Sequence, residues 1–293
     1  MVSEVLRLNS WRSEIEASMG QWARELYPQS TRLHEACRYA LEGQGKRIRP
    51  LLAFAAFAAC RGSNAASLIP ASLSLEWVHT YSLVHDDLPC MDNDDLRRGR
   101  PTTHKAFDEA TALLVGDALL TDAFTLIDHT PELADSQKLA LILTLSRAAG
   151  GQGMVYGQAL DMLWTARSGY GREDLDAIHR HKTGCLIEAS CVMGAIAAGA
   201  TREQQSLLAK FGAHVGLAFQ IIDDLLDTKT AIGKTTGKDA ASGKLTYLSL
   251  MSPAEAEDRA QTLTETALAC LEALPGSKEP LLALAQQLLT RQK

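Results

Sequence analysis

Aromatic residues are scarce in this 293-residue chain, at 5%, and alternating polar–apolar runs of any length are missing. Both scarcities argue against sheets, whose strands favour aromatic and β-branched residues at period two. The abundance of Ala and Leu suits close-packed helices instead. The six cysteines (Cys37, Cys60, Cys90, Cys185, Cys191 and Cys270) form no C-x-x-C pair and no zinc-ligand spacing. They read as reduced thiols packed as small apolar groups in a cytoplasmic protein. A basic surplus is lacking too: net charge is −6 and the pI is near 5.8. That balance argues against general nucleic-acid binding, yet it leaves room for a small anion held by local cations. The N-terminus, MVSEVLRLNSWRSEIE, has Glu or Arg in every turn and no apolar signal-peptide core. The apolar stretches Leu51–Cys60 and Ala189–Ala200 are too short to cross a bilayer.

What remains is helix broken by short Gly/Pro/Ser/Asn punctuation. Leu51–Cys60 ends in the turn cluster Arg61-Gly62-Ser63-Asn64. The pattern predicts a helix from about Ser67, as cap, to Asp87, with Leu75, Val78 and Tyr81 on one buried stripe. Further helices are expected over Glu109–Asp128, Ser136–Ala149, Arg172–Ala198, Glu203–Asp227 and Ala254–Glu272. Thr228–Gly243 is the one long polar loop. No repeat, low-complexity tract or linker divides the chain, so a single domain over 1–293 is expected.

Five Asp crowd into His85–Asp95 directly after the apolar Val78–Val84. Carboxylates next to buried helix are unfavourable without a counter-charge, and hard cations such as Mg²⁺ take oxygen ligands. Pro89 should break the helix just after Asp86 and Asp87, so that Asp92 approaches from a turn. The second cluster is Gln220-Ile221-Ile222-Asp223-Asp224-Leu225-Leu226-Asp227, where Gln220, Asp223 or Asp224, and Asp227 share a helical face. Either cluster alone reads as a solvated acidic face. Two of them, each embedded in apolar helix, reverse that judgement.

Cations accompany both clusters: Gly45-Lys46-Arg47-Ile48-Arg49-Pro50, Arg97-Arg98-Gly99-Arg100, His179-Arg180-His181-Lys182-Thr183-Gly184, and Lys234, Lys238 and Lys244. Any one of these alone reads as surface salt bridging. Together they suit a diphosphate bridged to metal and clamped by Arg forks and Lys point charges.

Asp86-Asp87-x₄-Asp92 and Asp223-Asp224-x₂-Asp227 resemble the two aspartate-rich motifs of the trans-prenyltransferase (polyprenyl synthase) family. Also similar are Gly45-Lys46-Arg47-x-Arg49-Pro50, Asp95-Leu96-Arg97-Arg98-Gly99-x-Pro101-Thr102, Gly116-Asp117, Gly157-Gln158-x₂-Asp161, Lys182-Thr183-Gly184 and Gly237-Lys238-Asp239. They run in family order from about Gly45 to Tyr247. Within the family the chain looks most like bacterial-type farnesyl diphosphate synthases, with geranylgeranyl diphosphate synthases next. The resemblance implies an all-α isoprenoid synthase fold, with antiparallel helices around a deep central cavity, and a cytoplasmic homodimer. It implies three Mg²⁺ ions per active site, ligated by Asp86, Asp92 and Asp223 and supported by Asp87, Asp224 and Asp227. Arg97, Lys182, Lys234 and Lys244, with Lys238 nearby, would hold an allylic diphosphate. Lys46, Arg49, His79 and Arg98 would hold isopentenyl diphosphate. Thr183, Gln220 and the Lys182 carbonyl would steady the allylic cation.

Tyr81 and Ser82 lie five and four residues before Asp86, roughly 6–8 Å down the helix, where related enzymes vary bulk to set product length. A large Tyr resembles the farnesyl-producing pattern. Two departures stand out: the loop between Asp227 and Gly237 is short for the family, and Leu248 replaces the usual Pro. A terpene cyclase would carry a different second motif and lack the Gly-Lys-Arg-x-Arg-Pro segment. A non-catalytic partner subunit would have lost its Asp motifs, and a plain helical bundle leaves two acidic clusters with basic companions unexplained.

Overall fold

In a computed structural model, residues 2–43, 45–165, 169–230 and 245–289 are described, with side chains from Leu6 onward except at 227–230 and 289. Lys234, Lys238 and Lys244 lie outside the described residues, and so does the side chain of Asp227. The described chain is all-α apart from one short hairpin. It forms two compact units, one of Val2–Phe54 and Ser63–Ile142, the other of Ala55–Gly62 and the chain from Leu143.

In the first unit, α1 (Val2–Leu26), α2 (Arg32–Leu41) and α6 (Glu109–Asp128) pack on α4 (Ile69–Asp86). Between them run α3 (Ile48–Ala59), which continues into the second unit, and the one-turn α5 (Thr103–Ala106). α4 is buried almost all round: Leu73, Leu75, Trp77 and Val78 have no exposure and Tyr81 has 5%. Each such large side chain contributes about 2 kcal/mol of apolar burial. The expected start of α4 at Ser67 is corrected: Ala65–Leu68 is a 3₁₀ turn, and Ser67 Oγ donates to the Asn64 carbonyl instead of capping the helix. Pro70 opens α4, where its missing N–H costs nothing. α6 starts where Asp108 accepts the Thr111 N–H, a side-chain cap.

By length and composition α6 could cross a membrane, which the apolar stretches singled out from sequence could not. Much of it is instead core, with Ala112, Val115, Leu119 and Ala123 fully buried, while Leu113 and Leu114 are half-exposed. α7 (Asp135–Ala149) follows and continues into the second unit.

The second unit contains α8 (Met154–Thr165), α9 (Arg172–His179), α10 (Cys185–Ala197), α11 (Arg202–Thr230), α12 (Pro253–Ala269) and α13 (Glu279–Leu289). The continuous helix expected over Arg172–Ala198 is corrected: a π-turn, Arg180–Gly184, separates α9 from α10. Ser252 and Glu255 form a capping box ahead of α12. The core joins Leu175 and Ile178 of α9, Leu217, Ile221 and Leu225 of α11, Tyr247, and Ala256 and Ala260 of α12.

Candidate active site

In the first unit the helix break at Pro89 is present. α4 stops at Asp86, and the chain folds back so that the Asp92 N–H donates to the Asp86 carbonyl at 2.8 Å. Asp86 is half-buried and Asp92 exposed. His85 is wedged against α6, its Nε2 lying 3.0 Å from the Leu113 carbonyl. Only a glycine fits opposite it, because a Cβ on Gly116 would stand 1.9 Å from that nitrogen. Thus Gly116 sets how closely α6 approaches the end of α4 that carries Asp86.

Asp87 turns inward. It is 3% exposed and receives Arg97 bidentately, from Nε at 2.8 and 3.0 Å and Nη2 at 2.6 Å. Burial lifts the Asp87 carboxyl above its ordinary range, while Arg97 pulls it back. Arg97 sits on the hairpin of β1 (Leu96–Arg97) and β2 (Arg100–Pro101). The two-residue turn between them, Arg98-Gly99, has positive φ at both positions (52° and 77°), as primed hairpin turns require. The Tyr39 hydroxyl donates to the Pro101 carbonyl at 2.7 Å, and the Arg100 guanidinium lies 4.3 Å above the Tyr39 ring.

A cavity of about 360 Å³ opens here, with Arg97, Arg98, Arg100, His79, Thr80 and Asp87 on its wall. Burial, then Arg49, Arg98, Arg97 and Arg47, hold the His79 imidazole well below its usual pKa, so it is neutral at pH 7. The structure therefore brings His79, Arg97 and Arg98 together. Lys46 and Arg49 are not on that wall. Arg49 Nε is buried with no hydrogen-bond partner among the described residues. Tyr81 meets His85 edge-on at 5.8 Å, and Ser82 Oγ donates to the His79 carbonyl.

In the second unit the π-turn carries Lys182 and Thr183, a local irregularity often found at functional sites. Close backbone approach holds it. A Cβ on Gly157 of α8 would stand 2.1 Å from the Lys182 nitrogen, and one on Gly216 of α11 would stand 3.0 Å from Gly184 Cα. Lys182 Nζ donates to Asp161 one turn further along α8. Gln220 Oε1 accepts from Thr183 Oγ1 at 3.2 Å and lies 3.1 Å from His179 Nδ1, which must carry the proton because an amide oxygen only accepts. Burial pushes the His179 imidazole down to about 4. Its ring stacks on Tyr247 at 5.3 Å, and the Tyr247 hydroxyl donates to Asp176, which also takes Arg259. The Tyr247 N–H donates to Asp224 at 2.7 Å. Asp223 is half-buried. The structure thus brings Lys182, Thr183 and Gln220 together and ties Asp224 to the residues beyond the polar loop.

Sequence reasoning assigned no role to Glu16, Glu76, Tyr39, Asp176 or Arg259. Glu76 alone left a signal: it is the one acid of α4 ahead of Asp86, set between the apolar Leu75 and Trp77 and one turn before His79.

Among the described residues, no three His, Cys, Asp or Glu side chains converge on a metal position. The donors at the end of α4 are all oxygens, with Asp92 folded back onto Asp86. Mg²⁺ is held by one or two carboxylates plus waters and substrate phosphates. Asp86 and Asp92 therefore fit that ion in a site a diphosphate completes.

The family model for polyprenyl synthetase matches residues 30–274. A farnesyl diphosphate synthase of Geobacillus stearothermophilus is 45% identical over 261 residues, covering 86% of each chain. Geranylgeranyl pyrophosphate synthase 7, chloroplastic, of Arabidopsis thaliana is 43% identical over 267 residues, 89% of this chain and 77% of that one. The crystal structure of a Helicobacter pylori geranyltransferase complexed with magnesium and isoprenyl diphosphate superposes with a TM-score of 0.81. It shares 35% identity and covers 97% of this chain and 98% of its own.

Proposed function

The chain belongs to the polyprenyl synthetase family, as a trans-prenyltransferase of the all-α isoprenoid synthase fold, and from that premise we propose that it makes farnesyl diphosphate. It does so by head-to-tail condensation of isopentenyl diphosphate with dimethylallyl and then geranyl diphosphate. The observation that carries this is the cavity beside α4, whose wall holds neutral His79 and four arginines (Arg47, Arg97, Arg98 and Arg100) against three carboxylates (Glu42, Glu76 and Asp87, the last next to Asp86). Its volume and the excess of guanidinium over carboxylate suit a diphosphate, which we take to be that of isopentenyl diphosphate.

Asp86, Asp92 and Asp223 would ligate Mg²⁺, with Asp87, Asp224 and Asp227 supporting them and three ions per site. Mg²⁺ held there would supply positive charge to the leaving diphosphate of the allylic substrate. Arg97 and Lys182 bind that diphosphate, each oriented by a carboxylate, Asp87 or Asp161, that leaves it further N–H donors. Lys234, Lys238 and Lys244 are assigned to the same group. Thr183 and Gln220, locked to each other, offer preorganised dipoles to the allylic cation after C–O ionisation. The isopentenyl double bond attacks that cation. No side chain in these motifs is a neutral-pH base, so the released diphosphate takes the proton.

Tyr81, 5% exposed and braced on His85, is proposed as the floor that stops growth at fifteen carbons, with Ser82 beside it. We take 1–293 to be a single prenyl diphosphate synthase domain that works as a homodimer. Six unpaired thiols support a reducing cytoplasm. A geranylgeranyl product is the second reading, favoured by relatives such as the Arabidopsis enzyme. Incubation with isopentenyl diphosphate, each allylic primer and Mg²⁺, followed by sizing of the products, tests both. A fifteen-carbon end product supports the first reading, and accumulation of a twenty-carbon one replaces it with the second.

A further inference from the structure

The Gly45–Pro50 segment carries three cations, and one of them behaves unlike the others. Arg47 is 4% exposed, and its guanidinium is occupied on every side. Nε and Nη2 donate to the two oxygens of Glu16 at 2.8 and 3.2 Å, Nη1 donates to Glu76 at 3.1 Å, and Nη2 also reaches the Gly43 carbonyl at 2.7 Å. Arg47 reaches the cavity wall, but its donors are engaged from three directions by protein groups.

The backbone around it is strained to make this possible. Arg47 has φ +49°, in the left-handed region that a side-chain-bearing residue keeps only when its surroundings over-determine it. A Cβ on Gly45 would stand 2.9 Å from Arg47 Nη1 and 3.0 Å from Arg98 Nη1, so a glycine lets both guanidiniums pass that point. Glu76 also attracts Arg49 and Arg98, two like charges that repel each other.

We propose that Arg47 is a positioning residue: clamped by Glu16 of α1, Glu76 of α4 and the Gly43 carbonyl, it holds the turn that carries Lys46 and Arg49 beside the cavity taken to bind isopentenyl diphosphate, a cavity whose wall Gly43 and Arg47 themselves reach. α1 thereby becomes part of the substrate-binding machinery although none of its residues touches the ligand. This rests on the reading of the cavity given above.

Glu16→Gln is the informative change, because Glu16 is 42% exposed and its neutral isostere keeps the fold while removing one arm of the clamp. The affinity for isopentenyl diphosphate, measured by titration calorimetry, is expected to fall five- to tenfold. Its KM should rise in step, with kcat and the allylic KM within twofold of wild type. Arg47→Lys should lose at least as much, because a single ammonium cannot span two carboxylates. In a Lys46→Ala background the loss from Glu16→Gln should shrink to less than half, since the turn then presents one cation fewer. Unchanged affinity in Glu16→Gln, an equal rise of both KM values, or full additivity with Lys46→Ala would each overturn the proposal. A wild type that binds isopentenyl diphosphate while Glu16→Gln binds it equally well sinks this inference alone. A wild type that does not bind it sinks the cavity reading as well.

Discussion

Gly157→Ala is expected to disable the enzyme from a residue that touches no substrate. Gly157 lies within α8, and an alanine Cβ there would sit 2.1 Å from the Lys182 nitrogen and 2.6 Å from the His181 carbonyl carbon. Ordinary contact begins at 3.4 Å, so the shortfall is 1.3 Å. Both obstructing atoms are backbone and cannot swing away, so the π-turn itself must move. Lys182 would then leave Asp161, and Thr183 would leave Gln220. A misplacement on the order of 1 Å costs about 100-fold in rate, or about 2.7 kcal/mol in barrier height.

The sign of the stability change is as informative as the rate. Without a clash, Ala in a helix interior would stabilise by about 1 kcal/mol relative to Gly, whereas overpacking costs about 1–3 kcal/mol. Steady-state incorporation of labelled isopentenyl diphosphate, paired with thermal unfolding, reads both quantities. The expectation is kcat down about 100-fold, the isopentenyl diphosphate KM within twofold, and a lower melting point. Gly151→Ala serves as the control, since its added Cβ would meet nothing within 4 Å. A Gly157→Ala protein that is fully active and melts higher than wild type would refute the packing argument.

Asp86→Ala should cut the single-turnover rate by orders of magnitude while leaving the circular dichroism and melting point near wild type, because the residue is half-buried at a helix end. Full turnover in that variant with Mg²⁺ present would remove Asp86 from the site. Tyr81→Ala should lengthen the product by at least one isoprene unit on chromatographic sizing, and an unchanged product would mean the floor lies elsewhere. His179, held by burial at about 4 against an unfolded value of 6.5, is stabilising while neutral. That contribution is whole above about pH 6.5 and drains away as pH falls toward 4. The melting point of wild type should therefore drop more steeply over this window than that of His179→Gln, and parallel curves would contradict the assignment.

Much was legible in the chain because helices are written locally. Asp108 caps α6, and the expected limits Glu109–Asp128 coincide with the helix found. Pro89 follows the end of α4, so residue order alone put Asp92 on a turn, and the structure adds that this turn folds its N–H back onto the Asp86 carbonyl. Periodicity likewise placed Leu75, Val78 and Tyr81 in the core.

Partnerships between distant residues were not legible, because one Asp or Arg looks like another until a neighbour from elsewhere in the chain arrives. No local pattern says that Asp87 faces Arg97, that Asp161 takes Lys182, or that Asp224 receives the Tyr247 amide. The three cations of the Gly45–Pro50 segment look alike in order, yet Arg47 is buried between α1 and α4 while Lys46 stays exposed. The π-turn at Arg180–Gly184 has the same origin. Its residues would accept an ordinary helix, and the missing side chains of Gly157 and Gly216, on two other helices, let the backbones close around it. Sequence by itself determined the all-helical class, the limits of α6, the break after α4 and the inventory of acids and cations. Tertiary packing decided which of those charges pair with each other and which stay open to a ligand, because burial depends on what approaches from far along the chain.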